Sequence, residues 1–87
     1  MITAEQIKQR IESGIEGAEV LVRLEGNKCL VAVAAAAFEG MRSVKKQQLV
    51  YACLNEMIAG GELHAVSMHT YTPSEWESQK KLGIPGF

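Results

Sequence analysis

The sequence predicts an α+β domain: a small three-stranded mixed sheet packed with helices, in the order α-β-β-α-β-α. Three observations carry the prediction. Two stretches begin with capping-box spacing and continue as helices, at Thr3 to Gln6 and at Thr72-Pro73-Ser74-Glu75. Two apolar runs meet across the polar turn Glu25-Gly26-Asn27. Residues 39–62 then form a connection long enough to be a helical crossover, which returns the chain for a parallel third strand.

Ile7, Ile11 and Ile15 recur every four residues after Thr3, giving a first helix over residues 4–14 that Gly17 breaks. Residues 18–24 and 28–37 read as strands of an antiparallel hairpin. Phe38-Glu39-Gly40-Met41 is a loop. A second helix over residues 43–59 places Val50, Cys53, Leu54, Met57 and Ile58 along one face and stops at Gly60-Gly61. In the third strand, residues 63–71, Val66 and Met68 alternate with Ala65 and Ser67, so larger and smaller side chains take opposite faces. Thr72 caps the last helix, Pro73 takes its first position, and Gly83 and Pro85 end it. The terminal Ile84-Pro85-Gly86-Phe87 reads as a mobile tail.

Eighty-seven residues allow one domain, spanning 1–87. A composition of 47% hydrophobic and 22% charged residues is that of a folded protein. The formal net charge of −1 supplies no global field for nucleic acid, so such binding would need a local basic patch. Cys29 and Cys53 form neither a metal clip nor a disulfide framework, and no signal peptide or long apolar span is visible, so the expected location is cytoplasmic with no membrane partner. Nucleophile elbow, phosphate loop, dinucleotide fingerprint and zincin helix are all missing, so no catalytic residues are assigned and the chain is read as a non-enzyme.

If the second and third strands are parallel, the hairpin loop and His64 begin at one sheet edge. That edge is the candidate site. An imidazole with an ordinary pKa of about 6.5 is available near neutrality as a metal ligand. Cys29 has two readings that stand side by side, a thiolate ligand from the loop or an apolar strand residue facing the core. His69, five residues beyond His64, falls on the opposite strand face and makes no pair with it. Cys53 and Trp76 read as packing residues. An iron-sulfur cluster takes about four ligands and this edge offers at most two, so a cluster could only be shared with a partner. The other candidate is Arg42-Ser43-Val44-Lys45-Lys46, whose cations oppose the helix dipole and so are not placed there for helix stability alone. Arg42, Lys45 and Lys46 are candidates for phosphates or an acidic partner surface, with Lys28 as a further basic group at the hairpin.

Phe38-Glu39-Gly40-Met41, Val44-Lys45-Lys46-Gln47-Gln48-Leu49-Val50-Tyr51, His64-Ala65-Val66-Ser67 and Tyr71-Thr72-Pro73-Ser74-Glu75-Trp76 together resemble the BolA family over nearly the whole chain. The resemblance implies a fold similar to the type II KH domain. It also implies partnership with a monothiol glutaredoxin of the Cys-Gly-Phe-Ser type and a two-iron, two-sulfur cluster shared with that glutaredoxin and glutathione. The isolated chain would then be a cluster-free monomer, the complex a heterodimer, and the role one in iron homeostasis. The family's cluster-binding histidine matches His64, and its loop ligand falls on Lys28, with Cys29 one residue further on. The protonated amine of lysine is a poor iron ligand near neutral pH, leaving Cys29, a substitute from the partner, or no stable cluster. Some BolA proteins are similar to DNA-binding transcription regulators, the alternative function. Here the Gly-x-x-Gly clamp of nucleic-acid-binding KH domains is missing, since Ser43 stands three residues after Gly40.

Overall fold

The computed structural model describes residues 2–26, 28–63 and 65–87. Their order is α1 (Ala4–Gly14), β1 (Glu19–Glu25), β2 (Lys28–Ala34), a 3-10 turn (Ala36–Phe38), α2 (Ser43–Ala59), β3 (Ala65–Tyr71) and α3 (Pro73–Leu82). The predicted α-β-β-α-β-α order is the observed one. Asn27 in the hairpin turn and His64 before β3 lie outside the described residues.

Local sequence explains the starts of α1 and α3. The Thr3 hydroxyl accepts from the Gln6 N–H while the Gln6 side chain accepts from the Thr3 N–H, two reciprocal bonds that occupy donors the helix itself leaves free. Thr72 and Glu75 repeat the box at α3, with Pro73 just inside the helix where its missing N–H costs nothing. Hydrogen bonding from Thr72, first from its backbone N–H and then from its side chain, holds the Glu75 carboxyl below its ordinary value.

The strands lie in the order β1-β2-β3, with β1 and β2 antiparallel and β2 and β3 parallel. One face of the sheet is packed by α1 and α2 around Ile7, Ile11, Val31, Val33, Phe38, Val50 and Leu54, each fully buried. Gly14 allows α1 to approach α2, because a Cβ there would collide with Cys53 Sγ. The opposite face carries a smaller cluster of Ala32, Ala34 and Trp76, joined by Tyr71 and Ile84. Trp76 Nε1 donates to the Glu19 carboxylate, and Lys80 lies 3.6 Å from the same carboxylate and 5.7 Å from the indole centroid.

β2 stops at Ala34 instead of running to residue 37. Its ladder closes with the Ala35 N–H donating to the Tyr71 carbonyl, after which the chain turns through Ala36 and Ala37 and drives Phe38 back into the core. Among the described residues, no helix is long and apolar enough to cross a membrane.

Candidate functional site

The register of β2 with β3 settles which parts of the chain share a sheet edge. Lys28 is paired with Ala65, Cys29 with Val66 and Leu30 with Ser67. The hairpin end of β2 and the start of β3 therefore lie side by side, although 37 positions separate the paired residues in sequence. The expectation for His64 itself falls outside the described residues; the residue that follows it opens β3 opposite Lys28.

A cleft of about 520 Å³ opens at this edge, lined by Arg23, Glu25, Lys28, Cys29, Leu30, Ala65 and Ser67. Arg23 and Glu25 were not singled out by sequence, and they arrive through the hairpin, where they pair with Leu30 and Lys28. The two form an ion pair, whereas Lys28, also exposed at the cleft, enters no salt bridge among the described residues.

Strand alternation separates Lys28 from Cys29. Cys29 shares a face with Val31 and Val33, belongs to the main core and is 2% exposed. Burial pushes its thiol up, so the neutral form is favoured over the thiolate that binds metal. Of the two readings of Cys29, this burial fits the apolar strand residue, while Cys29 also lines the cleft. Lys28 points to the other face, with Ala32 and Ala34. Among the described residues, no three His, Cys, Asp or Glu side chains cluster as a metal site. Cys53 is half-buried against the core, where its thiol donates to the Leu49 carbonyl, as its helical position suggested.

The tail is not free. Ile84 packs with Trp76, Ala32 and Ala34, and Phe87 N–H donates to the Ile84 carbonyl at 2.9 Å. Gly86 lies so close over Leu30 that a Cβ would collide with Leu30 Cδ2, and its carbonyl accepts from Arg23 Nη1 at 2.9 Å. Residues 84–87 thus continue α3 across the sheet toward the cleft, sharing Leu30 and Arg23 with it. This overturns the expectation of a mobile tail.

The basic segment sits elsewhere. β2 carries the chain away from the hairpin, and seven strand residues span about 20 Å before α2 begins. Arg42, Lys45 and Lys46 are therefore at the far end of the sheet from Lys28, and the four basic candidates form two separate sites. Arg42 is the N-cap of α2 and makes no side-chain cap bond, and no acidic residue occupies the first turn. Among the described residues, none of the three enters a salt bridge. Lys46 lies close enough to the start of α3 to contribute to the lowered Glu75 carboxyl. The result is a helix start whose backbone donors and side chains all favour an anion.

Comparison with known proteins places this geometry. Residues 25–75 match the family model described as BolA-like protein. The acid stress protein IbaG of Escherichia coli strain K12 is 40% identical over 77 residues, covering 88% of this chain and 92% of that protein. A DNA-binding transcriptional regulator BolA of Haemophilus influenzae is 35% identical over 54 residues, covering 62% of this chain and 50% of that one. Among solved structures, a bolA protein homologue from Coxiella burnetii superimposes with a TM-score of 0.77 at 35% identity, over 88% of this chain and 99% of the other.

Proposed function

The chain belongs to the BolA family, and from that membership we propose that it is a non-enzymatic adaptor: it binds a monothiol glutaredoxin of the Cys-Gly-Phe-Ser type and shares or passes on a two-iron, two-sulfur cluster in iron homeostasis. The observation that carries this reading is the parallel register of β2 with β3, which brings the hairpin end of β2 and the start of β3 at Ala65 to one edge beside an open cleft. With Cys29 buried in the core, the chain contributes His64 alone; the thiolates of glutaredoxin and glutathione bring the ligands to three, and a further group from the partner supplies the fourth. The cluster is cargo, held by the complex. Lys28, exposed at the cleft, meets the acidic surface of the partner or the carboxylates of glutathione.

Anaerobic reconstitution of the chain with glutaredoxin and glutathione tests this. We expect a visible absorption and circular dichroism spectrum distinct from that of glutaredoxin alone, and His64→Ala abolishes the difference while leaving the fold intact. Cys29→Ala leaves the spectrum in place. A His64→Ala spectrum identical to that of the unaltered chain rules out the assignment.

A second reading, DNA binding in transcription regulation, is favoured by the uncapped, acid-free start of α2 with its three unpaired cations. Phosphate contacts there make affinity for duplex DNA fall steeply with salt. The double variant Lys45→Gln with Lys46→Gln flattens that slope by about 2 in log–log units and leaves the cluster spectrum unchanged, because the two sites lie at opposite ends of the sheet. Absence of any binding in low salt eliminates this reading.

A further inference from the structure

We propose that the outer edge of β3 is a self-pairing surface, through which two copies of this chain join antiparallel strands about a two-fold axis at Met68.

The two edges of the sheet differ in kind. β1 carries Glu19, Arg23 and Glu25, and charged side chains on an edge strand discourage pairing with another chain. β3 reads Ala-Val-Ser-Met-His-Thr-Tyr over seven residues, without a Lys, Arg, Asp, Glu or Pro, so none of those safeguards protects it.

The direction of its free groups follows from one bond. Ala35 N–H donates to the Tyr71 carbonyl, so the backbone groups of Tyr71 face β2. Alternation in a parallel ladder then turns those of His69, Ser67 and Ala65 inward as well, and those of Val66, Met68 and Thr70 outward. Among the described residues, no side chain or loop backbone bonds these outward groups.

With the axis at Met68, Val66 faces Thr70 of the second copy and Met68 faces its equivalent. All three residues are then hydrogen-bonded pairs of an antiparallel ladder. The side chains agree with this register. On the α3 side of the sheet β3 presents Ala65, Ser67, His69 and Tyr71, small residues in its first half and rings in its second, with the two ring centroids 6.3 Å apart. Antiparallel pairing sets Tyr71 opposite Ala65 and His69 opposite Ser67, so each ring covers a small residue, and no like charges meet. Ala65 and Ser67 are exposed in the single chain, as a surface awaiting a cover would be. This departs from the expectation of a monomer when the chain is alone, and it rests on the strand edge without reference to glutaredoxin.

Light scattering over a concentration series, together with amide hydrogen exchange, tests the proposal. The mass should rise from that of one chain toward two, and exchange at Val66, Met68 and Thr70 should slow in step by roughly tenfold or more, with Ser67 and His69 little changed because they are already bonded to β2. Ser67→Lys, at an exposed position, should weaken association by roughly tenfold by placing lysines on the pairing edge. A one-chain mass at every concentration up to about millimolar overturns the proposal. So does association that leaves those three amides unprotected or ignores Ser67→Lys.

Discussion

Phe38→Ala should lower the stability of this domain by about 3–5 kcal/mol, the cost of emptying a large aromatic site in a close-packed core. Phe38 is fully buried and sits at the end of the turn that follows β2, so its ring fills the space where α1, α2 and the sheet meet. An 87-residue chain stands toward the lower end of the usual stability range of about 5–15 kcal/mol, so the loss is a large share of the total. Urea unfolding followed by circular dichroism is expected to show a midpoint shifted far down at unchanged slope, with a melting temperature lower by roughly 15 °C or more. A loss of less than about 1 kcal/mol would mean that the site collapses around the missing ring, and that the turn does not depend on it.

The elements that follow local rules were legible in the sequence. Thr3 with Gln6 and Thr72 with Pro73 and Glu75 announce α1 and α3 because a capping box is written in four consecutive residues. The bounds of α2 were read as 43–59, as observed, since Arg42 and Gly60-Gly61 frame one apolar stripe. The parallel arrangement of β2 and β3 followed from the length of the crossover. The face of Cys29 was partly available: odd positions in β2 hold Cys29, Val31 and Val33, while Lys28, Leu30 and two alanines occupy even ones. Leu30 on the even face left that parity short of deciding between the two readings of Cys29.

What escaped sequence reasoning involves partners remote along the chain. Gly86 and Arg23 are 63 positions apart and meet through a backbone carbonyl, which no side-chain pattern can announce. The end of β2 was overrun because a row of alanines carries neither a strand stop nor a helix signal. Arg23 and Glu25 entered the cleft only once the hairpin register was known. The basic residues could be named but not located, because placing Lys28 apart from Arg42, Lys45 and Lys46 requires the direction of β2.

Trp76→Ala should detach α3 and the tail while leaving the rest of the domain folded. Among the described residues, the sheet face beneath α3 offers only Ala32 and Ala34 as buried contacts, so the indole supplies most of the apolar surface that holds this helix down. Its N–H also donates to Glu19, whose carboxylate attracts Lys80 from the next turn. Removing a buried Trp costs about 3–5 kcal/mol where a whole core must answer for it. Here the helix and residues 84–87 can let go as a unit, since the main cluster on the opposite face contains no residue of either. Hydrogen exchange should therefore rise across Pro73–Leu82 by a factor of roughly 100 or more, with the core amides of β2 and α2 protected as before. Trp76→Phe should keep α3 docked with a smaller loss, near that of one charge-assisted hydrogen bond, about 1 kcal/mol at so exposed a carboxylate. Because Gly86 reaches Arg23 and Leu30 at the wall of the cleft, Trp76→Ala should also change the affinity for a partner docking there, whereas Trp76→Phe should not. Uniform loss of protection over every element would show that the two faces of the sheet form one cooperative unit.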